Sequence, residues 1–247
     1  MKLVIAKDYD EMSKQAARLL ADEVTRNPET VLGLATGGTP VGMYRELVEL
    51  CRTEGIDFSR ATSFNLDEYV GLPGHHPQSY RTYMEQNLFS HINLPADQTN
   101  IPRGDAADLA AECQRYEQAI AAAGGIDIQV LGIGNNGHIG FNEPGSGQET
   151  TTRVVQLTES TIQANARFFD TIDEVPTQAV SMGIRTILGA KKIVLLASGE
   201  AKAEAVRRMI EGEMTADVPA SLLQQHPDVT VIVDEEAASR LSAKTRA

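Results

Sequence analysis

Four segments of the chain hold side chains able to move protons or bind an anion. Residues 35–40 read ATGGTP, where Thr36, Gly37, Gly38 and Thr39 make a small-residue turn ahead of Pro40. Glycines let backbone N–H groups come close to an anion, and a helix start adds free donors and its dipole, so the turn suits a phosphate. No Lys follows the glycines, which separates the turn from the nucleotide-binding Gly-Lys-Ser/Thr loop. A tight strand-to-helix turn without a ligand accounts for the same residues. Asp67 and Glu68 are adjacent carboxylates that can supply a general base, or can cap a helix. Residues 132–145, GIGNNGHIGFNEPG, set His138 and Glu143 five positions apart in a glycine-rich run. An imidazole poised near neutrality both takes and gives a proton. A nearby carboxylate can fix its tautomer and raise its basicity, as in hydrolase triads; a histidine satisfied by backbone groups is the plainer alternative. Lys202, in SGEAK, can reach a phosphate as a point charge or can be a solvated helix lysine.

Other patterns lead nowhere. Gly132, Gly134 and Gly137 spell GxGxxG, but Pro144 and Gly145 follow where a dinucleotide site needs a helix, so nicotinamide and flavin are not expected. His75 and His76 lie in the Pro/Gly-rich GLPGHHPQS and suit a loop better than a metal site. Cys51 and Cys113 have no metal or redox spacing. The net charge of −12 and scattered basic residues argue against nucleic acid as a partner. The apolar run 3–6 is too short for a signal peptide or a membrane span, so a cytoplasmic protein is expected.

These residues need elements to position them. Apolar runs predict strands at 2–6, 30–35, 61–66, 127–133, 178–182, 192–197 and 229–233. Continuous runs such as KIVLLA and VTVIV suit strands covered on both faces. Helical spacing predicts helices at 10–25, 40–53, 78–90, 105–122, 200–211 and 235–243. The alternation predicts one doubly wound, mainly parallel α/β sheet across 1–247. Ligands bind such sheets at the carboxyl ends of the strands. All four segments follow strands, so they gather at one edge. Residues 144–177 are polar, Thr-rich and only partly periodic, which fits a mobile cover or an ordinary surface excursion.

The segments LGLATGGTP (32–40), SFNLDEYVGL (63–72), GIGNNGHIGFNEPG (132–145), ANARFFD (164–170) and SMGIRTIL (181–188) resemble, in order, the signatures of the glucosamine-6-phosphate deaminase family. The resemblance implies a Rossmann-like three-layer α/β/α sandwich with a lid at roughly 148–177. It implies conversion of glucosamine 6-phosphate to fructose 6-phosphate and ammonia, with a small sugar phosphate as the only partner and no metal or organic cofactor. Carried over residue by residue, Asp67 is the base that moves the C2 proton to C1. His138 opens the sugar ring, with Glu143 as its partner. Thr36, Gly37, Gly38, Thr39 and Lys202 hold the phosphate, and Arg167 reaches it from the lid. Longer, hexameric members carry Asp where this chain has Asn136, so any ionising relay shortens to His138 and Glu143. Of the basic residues at their allosteric site, Arg153 is matched, but Val155 replaces a Lys. Together with the end near 247, this implies a short, unregulated form, a monomer or small homo-oligomer. Two other readings compete. A 6-phosphogluconolactonase shares the fold but is expected to lack the FNEPG continuation. A non-catalytic sugar-phosphate sensor would not need Asp67, His138 and Glu143 together.

Overall fold

The computed structural model describes residues 1–246, with the side chains of Ser160, Ala164, Asn165 and Phe168 left aside; Ala247, the end of the expected domain, lies outside the described residues. Seven strands form one parallel sheet: β1 (Lys2–Ala6), β2 (Val31–Leu34), β3 (Thr62–Asn65), β5 (Thr99–Asn100), β6 (Ile128–Gly132), β9 (Lys192–Ala197) and β10 (Val229–Asp234). Their spatial order is β1-β10-β9-β6-β2-β3-β5. The inner strands are buried along nearly their whole length, as their continuous apolar sequences require.

Helices flank this sheet. In α1 (Tyr9–Arg26), Met12, Ala16, Ala17, Leu20 and Val24 are buried, and the Asp8 side chain caps the first turn by accepting the Glu11 N–H. Helix α2 (Val41–Glu54) packs on α1 and ends at Gly55, whose φ of 70° is the left-handed cap conformation. Helices α3 (Tyr80–Asn87), α4 (Leu109–Ala122), α5 (Glu159–Asn165), α6 (Ile184–Leu188), α7 (Ala203–Glu211) and α8 (Ala243–Arg246) complete the set.

The strand order reverses between β2 and β6. Successive strands step outward to β3 and β5 on one side, and to β9 and β10 on the other. The loops leaving β2 and β6 therefore diverge and open a crevice at their carboxyl ends. A second, antiparallel sheet of three strands borders it: β4 (Asp67–Tyr69), β8 (Gln178–Ser181) and β7 (Arg153–Gln156). The chain passes from β3 through Leu66 straight into β4, so Asp67 is the first residue of the small sheet.

Three expectations need correction. The strand at 178–182 belongs to the antiparallel sheet, paired with β4 and β7, not to the parallel one. The helix expected over 78–90 stops at Asn87, because Leu88 leaves helical geometry (φ −145°) and a 3-10 turn, Phe89–His91, follows. No helix spans 235–243. Asp234 captures the Ala237 N–H at 2.8 Å, and successive turns bury Ala237, Ala238 and Leu241 against the core before α8 begins. Within 148–177 the chain forms β7, α5 and two 3-10 turns, Ala166–Phe168 and Ile172–Glu174. It is fastened to the rest through the β7–β8 pairing and a small apolar cluster around Tyr69, Leu72 and Leu157.

Candidate active site

A cavity of about 480 Å³ occupies the crevice. Thr36, Gly37, Gly38, Thr39, Asp67, Asn136, His138 and Lys202 line it, as do Tyr80 and Phe141. Two expected site residues are not in the lining. Glu143 stands behind Asn136, and Arg167 is exposed, in the turn Ala166–Phe168.

One end of the cavity is built for an anion. Gly37 turns the chain with φ +97°, which a side chain rarely adopts. The carbonyls of this turn are occupied from outside. Tyr83 Oη donates to Gly37 O at 2.7 Å, and Tyr9 Oη lies 3.0 Å from Thr39 O and 3.2 Å from Gly38 O. Tyr9 Oη also accepts the Gly42 N–H at 2.8 Å in the first turn of α2. The N–H groups of Gly37, Gly38 and Thr39 donate to no protein acceptor among the described residues. Lys202 adds a half-buried ammonium, whose pKa burial pushes down. It is placed by a turn that begins at Gly199 (φ +89°). The buried Asp234 holds that turn, accepting the Ser198 hydroxyl and, at 3.0 Å, the Gly199 N–H.

Adjacent residues of a strand face opposite ways, and the two carboxylates of β4 have correspondingly different surroundings. Glu68 accepts the N–H groups of Tyr69 and Tyr80 at 2.9 Å and of Arg81 at 3.1 Å. It therefore caps α3, together with Ser79. Asp67 faces the cavity, buried to 6% exposure, and accepts no hydrogen bond from a protein donor among the described residues. Burial, reinforced by the neighbouring Glu68 charge, raises its carboxyl to about 8.

His138 lies on the loop after β6. Burial pushes its pKa down, against the raising effect of Glu143, and Lys202 lowers it further, so the ring is neutral at pH 7. Its Nδ1 lies 2.7 Å from Asn136 Oδ1. The same oxygen accepts the His138 backbone N–H at 3.1 Å, while Asn136 Nδ2 donates to Glu143 Oε2 at 2.8 Å. These two contacts fix which way the amide points. The oxygen faces the imidazole, so Nδ1 carries the hydrogen and Nε2 keeps its lone pair. The direct His138–Glu143 pairing expected from the sequence is thus replaced by a chain of three. The ring nitrogen and carboxylate are 3.6 Å apart, too far for a hydrogen bond, and Asn136 bridges them. A methyl group at Gly134 would sit 2.1 Å from the imidazole, so only glycine lets the ring lie there.

The sequence reading missed Tyr80, Asn142 and Asp234. Asp234 ends a strand, the same signal that drew attention to Asp67. Asn142 lies within the quoted GFNEP run, but its burial and partners come from β7 and β8. Arg153, matched above to an effector site of longer proteins, is half-buried and hydrogen-bonds Asn142 Oδ1 at 2.9 Å. Among the described residues, no helix is long and apolar enough to cross a membrane.

A neutral imidazole with a free Nε2, a buried carboxyl and an anion cradle thus face one polar cavity. That arrangement can bind a phosphorylated molecule and shuttle protons on its carbon skeleton. The chain is 55% identical to glucosamine-6-phosphate deaminase of Clostridium perfringens, over 98% of this chain and 100% of that one. It is 56% identical to the protein of the same name from Halothermothrix orenii, again over 98% and 100%. The structure of a monomeric glucosamine-6-phosphate deaminase superposes with a TM-score of 0.94 at 54% identity, covering 97% of this chain and 99% of the other. The family described as glucosamine-6-phosphate isomerases/6-phosphogluconolactonase matches residues 7–232, and the chain belongs to it.

Proposed function

We propose that the protein is a cytoplasmic glucosamine-6-phosphate deaminase, converting glucosamine 6-phosphate to fructose 6-phosphate and ammonia. The full-length likeness to deaminases at 55% identity carries this reading, and it favours the deaminase over the lactonase branch of the family. The phosphate sits against the N–H groups of Gly37, Gly38 and Thr39 with Lys202, and supplies remote binding energy that positions the sugar. His138 Nε2 takes the proton of the C1 hydroxyl and returns it to the ring oxygen, opening the ring. Asp67, once ionised, takes the C2 proton and delivers it to C1, while the C1 oxygen gains the proton that the substrate ammonium gives up. This leaves an imine at C2, which water hydrolyses to the ketone and ammonia. The substrate ammonium beside Asp67 favours the ionised carboxylate that burial disfavours. Segment 148–177 acts as the cover, with Arg167 closing onto the phosphate and water kept from the open chain.

Incubation with glucosamine 6-phosphate and no added metal is expected to release ammonia and fructose 6-phosphate in equal amounts. Hydrolysis of a phosphogluconolactone instead would place the chain in the other branch of its family. Tight binding without turnover would make it a sensor. The enzyme works as an unregulated monomer, a reading supported by the monomeric relative. Sedimentation at working concentration is expected to give a single 26.7 kDa species.

A further inference from the structure

One backbone unit joins the two halves of the acid–base apparatus. Met182, just past β8, donates its N–H to Leu66 O at 2.8 Å, immediately before Asp67. Its carbonyl accepts Asn142 Nδ2 at 2.9 Å, immediately before Glu143. The other Nδ2 hydrogen reaches Ile139 O at 2.9 Å, next to His138. The Phe141 N–H adds a bond to Ser181 Oγ at 3.2 Å. The loop carrying His138 and Glu143 is therefore fastened to the same strand end as the carboxylate strand.

Asn142 is fully buried, and its amide makes three hydrogen bonds: two from Nδ2 and one to Oδ1, from Arg153 Nη1. Arg153 stands on β7 opposite Ser181, and Asp67 stands on β4 opposite the same Ser181. No carboxylate lies within ion-pair distance of Arg153 among the described residues, and burial pushes its pKa down. A half-buried guanidinium is thus spent on a neutral amide oxygen. Only an amide of this length satisfies the site. Aspartate would set negative charge against two carbonyl oxygens, and leucine would leave those oxygens and Arg153 unpaired.

We propose that Asn142 is a positioning residue, locked by Arg153, that sets the spacing between Asp67 and the His138–Asn136–Glu143 chain. It rests on the acid–base roles given above. Among the described residues Asn142 and Arg153 make no hydrogen bond to the phosphate end, so disturbing them should slow chemistry without weakening binding. Arg153→Met removes the lock from a half-buried position and keeps the core intact. Misplacing catalytic groups by about 1 Å costs on the order of a hundredfold. For Arg153→Met, kcat is expected to fall about 10- to 100-fold with KM within about threefold, and Arg153→Lys to recover part of the loss. Asn142→Ser should behave alike, and the double variant should be no worse than Asn142→Ser alone. Wild-type kcat in Arg153→Met, or a raised KM at unchanged kcat, would overturn the proposal. So would a lowered Tm with unchanged turnover at a temperature where the variant is folded. The His138 ring signals, followed by NMR through a pH titration without ligand, give a test that needs no turnover. They are expected to move in Arg153→Met, and unchanged signals would overturn the proposal. A wild-type protein that releases no ammonia defeats the assigned reaction instead, and the ring signals then decide this point alone.

Discussion

At the residue scale, the two proton carriers are tuned in opposite senses by the same cause. Burial disfavours charge, so it raises the Asp67 carboxyl to about 8 and lowers the His138 imidazole. Asp67 must be ionised to accept a proton. The kcat/KM of the free enzyme is therefore expected to rise with pH up to about 8. The limb in kcat should lie lower, because the bound ammonium stabilises the carboxylate. A pH–rate profile with both limbs coincident would remove Asp67 as the base. Asp67→Asn keeps the shape and removes the base, so kcat should drop by roughly 10²- to 10⁴-fold with little change in KM. Steady-state kinetics showing equal loss of both would count against the role. His138→Asn should impair the cyclic sugar far more than a substrate presented already ring-opened. Equal impairment of the two forms, in stopped-flow comparison, would exclude the ring-opening step.

At the element scale, the phosphate turn is held from outside by tyrosines of α1 and α3. Tyr9 ties the carbonyls of Gly38 and Thr39 to the first turn of α2. Tyr9→Phe releases those ties without touching the cavity. It should raise KM several-fold, about 1 kcal/mol, and leave kcat near wild type. A fall in kcat at constant KM, in the same assay, would mean that the turn serves chemistry and not binding. These ties also mark the limit of what the chain reveals on reading. The long apolar runs of β9 and β10 and the spacing of α1 were legible, because burial on both faces or along one stripe imposes the pattern. Strands β4, β5 and β7 were not. They are two to four residues long and owe their state to partners distant in sequence, as Arg153 does to Ser181. Likewise His138 and Glu143 were legible as types and spacing, whereas the intervening Asn136 bridge depends on a loop conformation that no periodicity encodes. Residues 235–243 looked helical because seven of the nine are the helix formers Glu, Ala, Arg and Leu, a pattern of propensity and not of packing. Asp234 instead captures the N–H of Ala237 and sets off turns.

At the scale of the whole molecule, the buried Asp67 is a stability liability at high pH. Its folded-state pKa lies above the unfolded value of an aspartate, so between the two the native state binds more protons than the unfolded state. Stability contributed at low pH is therefore lost as pH rises through that window, from about 4 toward 8. Asp67→Asn should be more stable than wild type at pH 8 to 9, by at least about 1 kcal/mol, and so melt at a higher temperature, with the advantage fading toward pH 4. Calorimetry showing equal melting temperatures at high pH would mean that burial does not raise the Asp67 carboxyl.

The order of strands also bears on how the chain comes to fold as it is made. β1 has a single neighbour, β10, and pairs with it from Lys2↔Thr230 to Ala6↔Asp234. β1 thus leaves the ribosome long before β10, the strand it pairs with, and has no backbone partner in this sheet until β10 follows. Lys202 and its turn arrive late as well, held by Asp234 at the end of β10. A nascent chain can assemble β2, β3 and β6 around the crevice, but it waits for β10 to seal the sheet and complete the anion site. Until then an apolar edge lies open, the state in which a partly synthesised parallel sheet is most exposed to aggregation and most in need of a chaperone.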